Sequence, residues 1–94
     1  MKKVIFYETM AGKSPVEDFL DSLSSKQAQK AAWVFCLIEE LQIVPTKYLK
    51  KLVDTDDIWE VRIDFANDIF RFLGFFDGAE LIILNHSCPK TILQ

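Results

Sequence analysis

Two arginines, Arg62 and Arg71, are the side chains of this sequence best suited to chemistry on an anion. Each lies in a segment rich in β-branched and aromatic residues, which is typical of β-strands. A guanidinium stays charged in proteins and binds carboxylates and phosphates through two parallel hydrogen bonds. Whether the two arginines act together depends on how the strands that carry them are paired.

The two arginine segments are predicted to form a hairpin with Ala66-Asn67 as a two-residue turn. Alternate residues of a strand share a face, and this register makes one face almost wholly apolar. The facing pairs on that side are Phe65–Asp68, Ile63–Phe70, Val61–Phe72 and Trp59–Gly74. The glycine is expected to leave room for the Trp59 indole. Arg62 and Arg71 are then directly opposite each other on the other face.

Like charges that face each other across two strands are unfavourable, so something must offset the arginine pair. One interpretation is a surface ion network, in which Glu60 and Asp64 neutralise both guanidiniums. The other is a bound anion, such as a phosphate held between the two side chains. From the sequence alone, the ion network ranks ahead of the bound anion.

The remaining segments predict an α+β fold with the order β-α-α-β-β-β, in which an antiparallel-type sheet packs on a helix hairpin. The expected strands are residues 3–8, 58–64, 69–76 and 80–86, and the expected helices run from Ser14 to about Leu23 and from Ser24 or Ser25 to about Leu41. Residues 46–57 are expected to be a partly ordered linker or a short helical turn. The Asp77-Gly78 turn fits two loop lengths, so the face of His86 stays open.

Length and composition limit the classes of protein to consider. The 94 residues fit one domain, 1–94, and the 50% hydrophobic content is enough for a core. The sequence has no apolar run of the ~20 residues that a membrane helix needs, and its start does not resemble a signal peptide. We therefore expect a cytoplasmic protein without membrane contact. The net charge of −3 argues against an unselective nucleic-acid binder, although a local basic site is compatible with it.

Other candidate residues carry weaker signals. The two cysteines form no CxxC pair, and Cys36 is expected in the core, so no metal site or cofactor is predicted. His86, the only histidine, suits acid–base chemistry, although a lone histidine is more often structural. The apolar residues Ile69, Leu73 and Phe75 on the arginine face predict a partner, a covering segment or a homodimer contact.

Residues 52–78 resemble the HigB-like, phage-derived toxins of the RelE/ParE superfamily of type II toxin–antitoxin systems. The resemblance rests on the leucine-rich approach, Trp59-Glu60-Val61-Arg62, the aromatic strand around Arg71, and the Asp77-Gly78 turn. An aliphatic strand and a terminal Lys90-Thr91 follow. The preceding strand and helices match the order of the family, so the resemblance covers essentially the whole chain and implies a RelE-like fold.

The resemblance implies a ribosome-dependent mRNA endonuclease that needs no metal or cofactor and is neutralised by a helix-turn-helix antitoxin. In such an enzyme the RNA 2′-hydroxyl attacks the adjacent phosphate. By resemblance, Arg62 and Arg71 would hold that phosphate, and Lys90 would donate a proton or contact it. His86 would be the substitute base. The residues expected to contact RNA are Lys47, Lys50 and Lys51.

The sequence also differs from the pattern of that family. Gly74 stands where relatives usually carry a tyrosine, and Pro89 lies in a stretch that lacks one terminal lysine. Relatives usually continue beyond the position of Gln94 into a C-terminal helix. These differences motivate a second hypothesis, a weakened or inactive RelE-fold module that binds an antitoxin-like partner or a second copy. Poisoning of DNA gyrase is a third, disfavoured because the arginines resemble the nuclease branch.

Overall fold

The computed structural model describes residues 2–66 and 68–87, and within them the elements follow the order β-α-α-β-β-β-β. The strands are β1 (Lys3–Phe6), β2 (Leu49–Lys51), β3 (Trp59–Phe65), β4 (Asp68–Asp77) and β5 (Glu80–Ser87), and the helices are α1 (Pro15–Asp21) and α2 (Ser25–Glu40). These residues form an α+β fold with a five-stranded mixed sheet, which confirms the predicted class. No helix in this described part is both long and apolar enough to cross a membrane.

Both helices begin at serines that cap their first turns. The Ser14 hydroxyl accepts a hydrogen bond from the Glu17 N–H, and Pro15 occupies the first helical turn, where a missing N–H costs nothing. At the start of α2, the Ser24 hydroxyl accepts from the Gln27 N–H at 3.2 Å, and the Gln27 side chain accepts from the Ser24 N–H at 3.0 Å. This reciprocal capping box fixes where α2 begins.

The sheet has the strand order β1-β5-β4-β3-β2, with β1 parallel to β5 and the other neighbours antiparallel. The prediction of an antiparallel-type sheet is therefore wrong for one of its pairings. Parallel neighbours need a long connection, and here the two helices and three strands lie between β1 and β5 in the chain. That pairing joins the two ends of the described chain and leaves β1 and β2 as the edges of the sheet.

The edge strand β2 lies in the segment that was expected to be a linker or a helical turn. It pairs antiparallel with β3, with Leu49 opposite Val61 and Lys50 opposite Glu60. Burial of Leu49 in the core holds the strand in place, while Lys50 and Lys51 are exposed. Short strands with lysines are typical of sheet edges because they resist pairing with other chains. A strand of three residues is too short to be recognised in the sequence by alternation of apolar and polar side chains.

The core lies between the helices and one face of the sheet, which we call the helix face; the opposite side is the outer face. The buried apolar residues are Val16, Ala31, Val34, Phe35, Ile38, Leu49, Val61, Ile63, Phe70, Phe72, Leu81 and Ile83. The buried residues of α2 have the i, i+3, i+4, i+7 spacing of one helix face. Cys36 does not share that face and is exposed, so its predicted core position is wrong.

The predicted register of the β3–β4 hairpin is confirmed for all of its pairs. Phe65 pairs with Asp68, which defines a two-residue loop, and Ala66 in that loop has a left-handed backbone with φ 54°. Tight hairpin turns require such positive φ values. Residues other than glycine and asparagine adopt them only at a cost in energy. The loop therefore sets the register at a small local cost.

Gly74 is needed for a different reason from the predicted one. It is opposite Trp59, as expected, but a Cβ added to it would overlap the carbonyl oxygen of Ile82 and lie 3.1 Å from the Ile83 Cα. Both atoms belong to the β5 backbone, so the missing side chain of Gly74 leaves room for β5 rather than for the Trp59 indole. A β-bulge begins at this point, because Leu73 pairs with Asn85 whereas Gly74 pairs with Ile83.

Candidate functional site

Arg62 and Arg71, the only arginines of the sequence, are directly opposite each other on the outer face. The Arg62 N–H donates to the Tyr48 carbonyl on the β2 side at 2.9 Å. The Arg62 backbone therefore makes its hydrogen bond to the β2 side and not to Arg71. Antiparallel residue pairs without mutual backbone hydrogen bonds are the closer type, with Cα atoms roughly 4.5 Å apart. Their side chains are 42% and 38% exposed. The two arginines are thus neighbours in the sheet, and both side chains are within reach of solvent.

Each arginine is paired with one carboxylate through its Nε. Arg62 Nε donates to Asp64 Oδ1 at 3.0 Å, and Arg71 Nε lies 3.5 Å from Glu60 Oε2. The ion network predicted from the sequence is therefore present, and the quartet is formally neutral. Both pairs use Nε, so the terminal nitrogens of each guanidinium supply further donors. These four side chains form what we call the arginine site.

The two ion pairs hold the arginines without strong attachment. The Arg62–Asp64 pair joins two exposed side chains, and such pairs contribute about 0–1 kcal/mol. The distance between Arg71 and Glu60 also exceeds the ~2.7–2.9 Å of a charge-assisted hydrogen bond. An oxyanion that makes bidentate contacts with both guanidiniums can compete with such carboxylates. The arrangement is therefore a neutral ion network whose guanidiniums retain donors for a further anion.

The three lysines predicted to contact RNA lie in or next to β2, in different environments. Lys50 is opposite Glu60 and therefore shares the outer face with the arginine site. Lys51 pairs with Asp57 at 2.7 Å, where both side chains are well exposed. Lys47 places its ammonium 5.0 Å from the centre of the Tyr48 ring. Of the three, Lys50 is the one that the sheet brings to the arginines.

His86 lies on the other side of the sheet from the arginines. It is opposite Phe72, a core residue, and its ring stacks on Phe19 of α1 with centroids 4.0 Å apart and planes at 15°. Its Nδ1 is buried and has no hydrogen-bond partner among the described residues. His86 is therefore not beside the arginines, because the bulge turns this residue towards the helices, and its role as a substitute base stays a prediction. The predicted proton donor Lys90 lies outside the described residues.

An apolar strip borders the arginine site on the outer face. The three residues predicted to bind a partner, Ile69, Leu73 and Phe75, lie there and are half-buried. Phe75 is opposite Ile82 of β5, and Ile82 is opposite Ile5 of β1, so the strip continues to the far edge of the sheet. Apolar and charged surfaces therefore adjoin on one face.

Lys47 also belongs to a group of side chains at the β2 edge whose other members were not predicted from the sequence. The rings of Trp33 and Tyr48 meet edge to face, with centroids 5.6 Å apart at 84°. Lys30 places its ammonium 5.2 Å from the Trp33 ring, as Lys47 does over Tyr48. We call these four residues the aromatic–lysine cluster. The signal available in the sequence was a tryptophan on the polar side of α2, three residues after a lysine.

The fold and the site together define an α+β protein whose sheet presents paired arginines on the face opposite its helices. Within residues 2–66 and 68–87, no group of three or more His, Cys, Asp or Glu side chains is arranged to hold a metal ion. Residues 18–92 match the family described as Phage derived protein Gp49-like (DUF891). The match covers more than half of the chain, and the chain belongs to this family, a RelE/HigB-like toxin family. Comparisons with curated proteins and with solved structures gave no match.

Proposed function

We propose that this protein is the toxin of a type II toxin–antitoxin system and cleaves mRNA on the ribosome, with Arg62 and Arg71 holding the phosphate that is cleaved. The observation that carries the proposal is the pairing of these two partly exposed arginines across β3 and β4 in a member of the Gp49-like family. The resemblance of residues 52–78 to HigB-like toxins supports the choice of RNA as substrate.

The proposed chemistry needs charge stabilisation and two proton transfers. The RNA 2′-oxygen forms a bond to phosphorus, the bond from phosphorus to the 5′-oxygen breaks, and negative charge builds up on the other phosphate oxygens. Two guanidiniums at those oxygens stabilise that charge. Glu60 and Asp64, once displaced from the arginines, are carboxylates able to accept the 2′-hydroxyl proton. We keep Lys90 as the proposed donor to the 5′-oxygen.

The rest of the outer face is suited to the proposed partners. A helix-turn-helix antitoxin that covers Ile69, Leu73 and Phe75 would also cover the adjoining arginines, so binding and inhibition would share one surface. The lysines at the β2 edge, Lys47, Lys50 and Lys51, are proposed to contact mRNA or ribosomal RNA. No cofactor takes part in this mechanism.

Expression of the chain alone in a bacterial host tests the proposal. We expect growth arrest with the natural sequence, relief with Arg71→Ala, and full relief when Arg62→Ala is added. Lys13→Ala is a matched control, because it removes a cation from an exposed loop before α1. It should arrest growth like the natural sequence at equal protein levels. Arrest that survives replacement of both arginines would refute their role.

A second candidate function is an inactive member of the family that binds an antitoxin-like protein. Gly74 favours it, since the position at which relatives usually carry a tyrosine cannot accept even a Cβ without displacing the β5 backbone. In that case expression is harmless, yet the tagged chain captures the product of a neighbouring gene. A clean monomer with no captured neighbour would count against this candidate.

A further inference from the structure

We propose that the aromatic–lysine cluster is a second contact for single-stranded RNA, in which Trp33 and Tyr48 stack a base and Lys30 and Lys47 bind the flanking phosphates. The proposal deepens the proposed function, because the arginine site would hold a neighbouring phosphate of the same strand.

The cluster has the features of a stacking platform. Trp33 is 48% exposed, so much of this large aromatic side chain is accessible to a ligand. Its edge-to-face contact with Tyr48 joins α2 to the segment before β2, so the two rings hold each other in place. A base that stacks there meets a surface that is already ordered.

The lysines over the rings can be exchanged for a base. A lysine over an exposed ring is held more weakly than a stacked nucleobase, and every base offers a π-face. A base that replaces the Lys30 ammonium on Trp33 leaves that ammonium free beside the sugar–phosphate backbone. Lysine then acts as a point charge for phosphate without sequence preference.

The cluster is continuous with the arginine site. The Tyr48 carbonyl accepts the Arg62 N–H at 2.9 Å, so the backbone of Tyr48, one residue before β2, lies directly beside Arg62 of β3. Lys50 lies on the outer face of the same edge. A single RNA strand can therefore run from the arginine pair over β2 to the aromatic rings. The net charge of −3 is a property of the whole chain and does not describe the charge at this edge.

The composition of the cluster favours RNA over a protein partner. The buried centres of protein interfaces are depleted in lysine, because an ammonium loses its hydration there without a matched partner. Here a lysine lies over each of the two rings. Alternating aromatic and cationic groups are instead what proteins use to bind single-stranded nucleic acids.

The binding of a labelled oligoadenylate, measured by fluorescence anisotropy at low salt, tests the proposal on the full chain. Trp33→Ala should weaken binding by roughly 5- to 150-fold, which corresponds to about 1–3 kcal/mol for one stacked base. Trp33→Phe should retain most of the affinity. Binding of heparin, a polyanion without bases, should not change in Trp33→Ala. Replacing Lys30 and Lys47 by glutamine should weaken the binding of both the oligoadenylate and heparin, and should make the affinity depend less steeply on salt concentration.

Two outcomes would overturn the proposal: no binding of the oligonucleotide by the natural sequence, or equal affinity in Trp33→Ala. If Trp33→Ala keeps its RNA affinity but no longer captures the product of a neighbouring gene in a pull-down, the cluster is a protein surface. Far-UV circular dichroism establishes that each variant is folded. Growth arrest that persists without both arginines refutes the role proposed for the arginines alone, and a Trp33-dependent loss of RNA affinity would then still support the cluster.

Discussion

Replacement of Gly74 by alanine distinguishes strand propensity from the packing of β4 against β5. Glycine inside a strand lowers the stability of a protein by about 0.5–1 kcal/mol relative to alanine, so strand propensity alone predicts that Gly74→Ala stabilises the protein. The structure predicts the opposite, because the new Cβ would overlap the Ile82 carbonyl oxygen. Overpacking costs about 1–3 kcal/mol, and a clash with backbone falls at the upper end because no side chain can rotate away. The net loss is roughly 2 kcal/mol.

Thermal and urea unfolding measure this loss directly. For a domain of this size, about 2 kcal/mol lowers Tm by roughly 8–16 °C. Gly78→Ala is the matched control, because Gly78 has a positive φ of 62° but open space where its Cβ would lie. Gly78→Ala should lower the free energy of unfolding by about 1 kcal/mol, from backbone strain alone. A Gly74→Ala variant as stable as the natural sequence, or more stable, would refute the bulge and the close approach of β5.

Two smaller changes test local features of the hairpin and of α2. Ala66→Gly should raise the free energy of unfolding by about 1 kcal/mol, because Ala66 is held at φ 54°, a backbone conformation that glycine adopts without strain. A lower Tm in this variant would contradict the left-handed turn. Ser24→Ala should lower the free energy of unfolding by about 1 kcal/mol through loss of the capping box with Gln27, and unchanged urea unfolding would show that the cap contributes nothing.

The β3–β4 hairpin was predictable because its information is local. Alternation places one face in the core, and a one-residue slip would expose that whole face, so the two-residue turn and the apolar pairs agree on one register. Arg62 opposite Arg71 follows directly from it. The flanking carboxylates were visible in the same segment, and the predicted ion network followed from them.

The remaining features depend on contacts between distant parts of the chain. The parallel pairing of β1 with β5 has no local signature, and β2 is too short for one. The bulge falls in the uniformly aliphatic run 81–84, where alternation gives no register, and it is the bulge that turns His86 towards Phe19. Sequence spacing therefore placed the arginines but not the histidine.

The aromatic–lysine cluster was not predicted for a related reason. Trp33 lies on the side of α2 away from the core, where helical periodicity gives no signal, and Tyr48 lies in a segment predicted to be a linker or a short helical turn. Their contact depends on where β2 places the chain relative to α2. An aromatic residue on the polar side of a predicted helix is the signal that should direct attention to such surfaces.

The most direct test of the central claim is cleavage of a defined mRNA on purified, programmed ribosomes, followed by mapping of the RNA ends. We expect the natural sequence to cut the message in the ribosomal A site. Loss of one charge-stabilising group should slow cleavage by about 10²- to 10³-fold in Arg62→Ala or Arg71→Ala, with Lys13→Ala unchanged. Cleavage that proceeds at the natural rate without both arginines would contradict the account.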